Sequence, residues 1–121
     1  MEALKRDLVL PYPPSVNHYW RHVQGRTFVS REGRRYRQRV CALLAGSRPM
    51  TGRIHMTVVL CPPDRRRRDL DNAMKSLNDS LAHAGVFIDD EQIDRLSIIR
   101  GPVVRGGIAR VRIREVDHGT A

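Results

Sequence analysis

The chain has 121 residues, and its 22 lysines and arginines against 13 aspartates and glutamates leave a net charge of +9. That length buries roughly two-thirds of the unfolded surface, and no linker-like stretch divides it, so residues 1–121 read as one domain. Cys41 and Cys61 stand alone in apolar runs, which argues against a disulfide framework or a zinc site. The basic excess favours a polyanionic partner, most simply nucleic acid.

In chain order, residues 7–12 read as a short strand stopped by Pro13 and Pro14. The apolar run Leu8-Val9-Leu10 is too short for a signal core or a membrane span, so the expected protein is soluble and cytoplasmic, with no membrane partner. Residues 15–29 show no periodicity and read as a long loop holding Asn17, His18, Tyr19, Trp20, Arg21, His22 and Arg26. Aromatics beside arginines either stack on bases or pin the loop to the core.

Ser30 is placed to cap a helix reaching about residue 45, with Glu32 in its first turn and Tyr36, Val40, Leu43 and Leu44 as its buried stripe. Residues 52–61 alternate as a strand, and apolar Val59 and Cys61 on its second side predict a central strand covered on both faces. His55 in this strand is given no role.

A second helix follows over residues 70–84, with Leu70, Met74, Leu77 and Leu81 inward and Gly85 as its stop. Val86-Phe87-Ile88 reads as a short strand leading into Asp89-Asp90-Glu91. Residues 93–100 and 108–116 are further strands around a turn, and the last few residues read as frayed. In the final strand Ala109, Val111 and Ile113 point inward, and Arg110, Arg112 and Arg114 form a basic outer row.

The chemistry concentrates in Asp64-Arg65-Arg66-Arg67-Arg68-Asp69-Leu70-Asp71-Asn72. Four arginines run into two carboxylates at the start of a helix, a strong positive field beside hard oxygen ligands. With Asp69 as the N-cap and Asp71 in the first turn, both acids gather at the positive end of the helix dipole. Lys75 follows Asp71 by one helical turn, either as a surface ion pair or as an ammonium set against a strained phosphate. The later acidic cluster supplies a third carboxylate if the chain returns beside this helix. Three acids around Mg²⁺ suit hydrolysis of a phosphodiester.

At these residues the sequence resembles the RusA family of Holliday junction resolvases, small homodimeric endonucleases often carried by prophages. The resemblance runs through Leu10-Pro11-Tyr12-Pro13-Pro14-Ser15-Val16-Asn17, Arg26-Thr27-Phe28-Val29-Ser30, the arginine run with Asp69-Leu70-Asp71-Asn72, and Ala84-Gly85-Val86-Phe87-Ile88-Asp89-Asp90. It implies an α+β homodimer, a small mixed sheet packed with two main helices, and a hydrolase active in DNA recombination and repair.

Carried over by motif, the catalytic and metal-binding acids are Asp69, Asp71 and Asp90, the second acid of its pair, with Lys75 as the catalytic lysine and Asp79 in a supporting place. The cofactor implied is Mg²⁺, with Mn²⁺ as its substitute, and no small-molecule cofactor. The partner is four-way junction DNA in a bacterial or phage setting, nicked symmetrically in pairs. Arg65, Arg66, Arg67, Arg68, Asn72, Asn17, Arg26, Arg110, Arg112 and Arg114 form the expected DNA-binding set. The rival readings are a less selective nuclease for flaps and other branched DNA, and a non-catalytic basic architectural protein.

Overall fold

A computed structural model describes residues 4–116. The predicted frayed end lies outside them. The elements are β1 (Lys5–Pro11), α1 (Val16–Tyr19), β2 (Trp20–Val23), β3 (Arg26–Val29), α2 (Arg31–Leu43), β4 (Arg53–Cys61), α3 (Asp71–His83), a 3₁₀ turn (Asp90–Gln92), β5 (Ile93–Arg100) and β6 (Ile108–Val116). The fold is α+β, as expected.

The sheet has the order β1-β6-β4-β5. β4 and β5 are parallel, and the chain between them is long enough to carry α3 over the sheet, which a parallel pair requires. β6 runs antiparallel to both its neighbours, so the sheet is mixed. Alternation sends Ile54, Met56, Val58 and Leu60 of β4 and Ala109, Val111 and Ile113 of β6 to one face. There they meet Tyr36 and Val40 of α2 and Met74, Leu77 and Leu81 of α3 in a single core. Each large apolar side chain buried this way contributes about 1.5–3 kcal/mol relative to exposure.

The other face departs from expectation. β4 is central, yet His55, Thr57 and Val59 are only half-buried, because both long helices pack on the opposite side. Arg110, Arg112 and Arg114 stand exposed on this bare face. Leu43 is likewise exposed, at the last residue of α2 and off the row made by Tyr36, Val40 and Leu44. Val86-Phe87-Ile88 forms no strand, only a single bridge from Met50 to Phe87, and Ile88 is exposed.

The predicted loop over residues 15–29 is instead the one-turn helix α1 followed by the β2–β3 hairpin. Gln24 and Gly25 close the hairpin with φ of 52° and 75°, the left-handed pair that suits the strand twist in a two-residue turn. Tyr19 is fully buried and pins this segment to the core. Behind it Ser30 caps α2, its hydroxyl accepting from the Gly33 N–H at 3.0 Å.

Candidate active site

Two clefts border α3. The first, about 850 Å³, is lined by Tyr12, Arg35, Arg39, Arg66, Arg67, Arg68, Asp69 and Asn72 among others. The arginine run that feeds it is folded around Asp64. Its Oδ1 accepts from the Arg66 N–H at 2.9 Å and from Arg68 Nη1 at 2.7 Å. The Arg68 hydrogen bond is the main reason the Asp64 carboxyl sits lowered, at about 2.

Arg68 also lies over the Tyr12 ring at 5.9 Å, and its carbonyl accepts from Arg100 Nη2 at 2.8 Å. Arg68 is therefore partly a structural pin, whereas Arg65, Arg66 and Arg67 project into solvent. Arg35 and Arg39 were not singled out from sequence for this site. Their four-residue spacing was the available signal, since it puts both on one side of α2.

The second cleft, about 640 Å³, is lined by Val16, Trp20, His22, Thr27, Lys75, Asn78, Asp79, Ala82, Ile88, Asp89 and Asp90. Asp71 opens α3 and is exposed. Helical periodicity places it on the side that carries Lys75, one turn on, and Asn78. Lys75 and Asp90 thus meet at one surface although they come from different elements.

Asp79, four residues beyond Lys75, is held by other partners. It accepts from the Tyr19 hydroxyl and from Arg37, whose Nη2 lies at 2.6 Å. Arg37 Nε also donates to the Tyr19 oxygen at 2.8 Å, and Trp20 meets the Tyr19 ring edge-on at 5.0 Å between centroids. This network ties α1, α2 and α3 together, so Asp79 has the supporting place expected of it.

The acidic turn is built by a capping box that the motif Asp89-Asp90-Glu91-Gln92 could have revealed. Gln92 is buried. Its Oε1 accepts from the N–H groups of Ile88 and Asp89 at 2.7 and 2.9 Å, and its Nε2 donates to the carbonyls of Met50 and Gly52 at 2.9 and 2.8 Å. Asp89 caps the turn, accepting from the Glu91 N–H at 2.9 Å. That contact, with a hydrogen bond to Asp90, lowers the Asp89 pKa. The same shared hydrogen bond is the first cause raising Asp90, followed by desolvation and the negative charges of Asp89 and Asp79. Glu91 pairs instead with Arg53 at 3.0 Å.

Asp69 does not cap α3. Leu70 holds the cap position without a side-chain bond, and Asp69 precedes it on irregular chain among the arginines of the first cleft. The carboxylate oxygens of Asp69, Asp71 and Asp90 are the donor chemistry of a hard cation such as Mg²⁺. Their placement does not match it: among the described residues no group of three His, Cys, Asp or Glu side chains could hold a metal ion.

Of the expected DNA contacts, Asn72 lines the arginine cleft, and Asn17 and Arg26 are exposed on α1 and the hairpin. Arg110, Arg112 and Arg114 lie on the far face of the sheet, where Arg112 pairs with Asp7 at 2.9 Å.

A family model described as endodeoxyribonuclease RusA matches residues 11–114, a span that holds both clefts. The chain belongs to the RusA family. It is 43% identical over 114 residues to the crossover junction endodeoxyribonuclease rusA of Enterobacteria phage HK97, covering 92% of this chain and 95% of that protein. The corresponding protein of Enterobacteria phage 82 is 40% identical, with the same coverage. That of Escherichia coli K12 is 39% identical over 115 residues, 93% of this chain and 96% of that protein. Among the described residues no RusA-family helix here is long and apolar enough to cross a membrane.

Proposed function

We propose that the chain is a structure-specific endodeoxyribonuclease that resolves four-way DNA junctions by paired, symmetric nicks, working as a homodimer in the bacterial cytoplasm. The observation that carries this reading is one surface: Asp71 and Lys75 on a single side of α3, with Lys75 and Asp90 lining the same cleft, beside a cleft of arginines. The names of its phage and bacterial relatives support the same activity.

Phosphodiester hydrolysis forms a bond from a water oxygen to phosphorus and breaks a bridging P–O ester bond. One new end keeps the phosphate and the other becomes a hydroxyl. Exposed Arg66 and Arg67 grip the backbone without reading bases. The carboxylates of Asp71 and Asp90 orient the attacking water and take up its proton. The Lys75 ammonium stands where charge grows on the phosphoryl oxygens. A junction has approximate two-fold symmetry, so a C2 dimer presents one such surface to each of two opposed strands. A requirement for Mg²⁺, or Mn²⁺ in its place, is part of the proposal on the oxygen-donor chemistry of Asp69, Asp71 and Asp90 alone, since the single chain does not gather the three around an ion.

The test compares a mobile four-way junction with a three-way junction and a flap, each with Mg²⁺ and with a chelator. Symmetric paired nicks confined to the four-way junction and abolished by chelation are expected. Equal cutting of the flap identifies a less selective branched-DNA nuclease, and binding without cutting on every substrate identifies an architectural protein.

A further inference from the structure

The hairpin that sequence periodicity missed has two unlike faces. Strand register sets Arg21 opposite Phe28 and Val23 opposite Arg26, and sets Trp20 opposite Val29 and His22 opposite Thr27. Trp20, His22 and Thr27 line the cleft that holds Lys75 and Asp90. The alternate face turns away from that cleft, and on it Phe28 is 44% and Val23 43% exposed. Single exposed apolar residues are ordinary on protein surfaces. Here an aromatic ring and a valine interleave with two guanidinium groups on a protruding ribbon, and residues 20–29 contain no carboxylate. An aromatic flanked by arginines is a platform for a nucleobase with its neighbouring phosphates neutralised.

The ribbon is also stiffly mounted. Its turn residues both occupy the left-handed region, and His22 Nδ1 lies 2.8 Å from Thr27 Oγ1 across the strands. At its base the Ser30 N–H donates to the Tyr19 carbonyl at 2.8 Å. α2 approaches this base so closely that a Cβ on Gly33 would lie 2.6 Å from the Tyr19 oxygen and 2.7 Å from Val29 Cγ1. Through Tyr19 and Asp79 the same base is tied to α3.

We infer that the β2–β3 hairpin is a strand-separating pin: its inner face borders the strand being cut, and Phe28 on its outer face stacks on an unpaired base at the branch point, with Arg21 and Arg26 on the flanking phosphates. This rests on the junction-cutting reading above and adds how the branch is recognised.

The test uses full-length protein, a four-way junction carrying 2-aminopurine at the branch, and a linear duplex of matched length, with chelator present so that nothing is cut. Wild-type binding is expected to raise the 2-aminopurine fluorescence. Phe28→Ala should abolish most of that rise and weaken junction binding by roughly 5- to 100-fold. Duplex affinity should change less than twofold, and Phe28→Trp should keep both signals. The ring is exposed, so circular dichroism and sedimentation should match wild type.

Unchanged fluorescence and junction affinity in Phe28→Ala overturn the pin, as does an equal loss on junction and duplex. A loss of dimer in that variant assigns Phe28 to an interface between copies instead. If wild type itself prefers no junction over duplex, the junction reading fails and the pin fails with it, an outcome visible before any variant is made.

Discussion

The two clefts flanking α3 carry opposite burdens. The first sets Arg35, Arg39, Arg66, Arg67 and Arg68 against Glu32 and Asp69, and the second sets Lys75 against Asp79, Asp89 and Asp90. Their walls come from the same helix: Asn72 and Ala73 belong to one, Lys75, Asn78 and Asp79 to the other. Carboxylates repel a phosphodiester, so acids that must approach one need cations nearby to hold the backbone. On the proposed reading, keeping Asp71 and Asp90 apart from the first cleft lets its arginines supply affinity without neutralising the two acids that act on the water, while Asp69 stays among the arginines. Asp79 shows what happens otherwise, since its carboxylate is taken up by Arg37 and Tyr19 and serves the fold.

If that division is right, variants of the second cleft lose rate and variants of the first lose grip. The largest effect outside the acids falls on Lys75→Ala. Single-turnover cleavage should drop about 10²- to 10³-fold, the usual size of a lost transition-state donor, with junction affinity within about threefold of wild type. Cleavage near the wild-type rate would reduce Lys75 to a surface charge.

Arg66→Ala with Arg67→Ala should act the other way. Each phosphate contact contributes about −0.9 to the log–log dependence of affinity on salt, so the slope should become shallower by about 1.8, with the rate at saturating protein retained. A slope equal to wild type would remove these two arginines from the DNA interface.

The smallest effect concerns protons within the second cleft. Asp90 is raised first by its hydrogen bond with Asp89, so Asp89→Ala should bring the Asp90 titration down toward the ordinary aspartate range. In the wild type the raised Asp90 adds stability that is full below its unfolded pKa and is lost as pH rises through the folded one. Lowered Asp89 does the reverse, adding stability above its unfolded pKa that is lost as pH falls through the folded one. The two contributions run in opposite directions with pH, so carboxyl ¹³C shifts, which follow each acid separately, are the measurement to use rather than melting. An Asp90 midpoint unmoved by Asp89→Ala would show that its shift comes from elsewhere.

What the sequence disclosed divides along physical lines. β4 and α3 were legible because each buries one face against the core, and burial imposes period two on Ile54, Met56, Val58 and Leu60 and a helical period on Met74, Leu77 and Leu81. The hairpin was not legible. Residues 21–28 are exposed on both faces, so no apolar alternation is imposed, and Gln24 is an uncommon residue for a left-handed turn position. The acids were found as residue types in a motif, but their arrangement was not. A cap at Asp69 follows from helix propensity, whereas the chain gives that place to Leu70 and leaves Asp69 with the arginines. The bare face of the sheet was missed because Val59 mimics a covered position and Cys61, at the end of β4 opposite Ile108, is in fact buried, although Arg110, Arg112 and Arg114 of β6 mark the rest of that side as solvated.

The most direct measurement is single-turnover cleavage of a four-way junction by Asp71→Asn in Mg²⁺, with binding followed in the same samples. The variant should bind at least as tightly as wild type, having lost a charge that repels phosphate, and should cut at least about 10²-fold more slowly. Cutting at the wild-type rate would contradict the assignment of this face of α3 to catalysis.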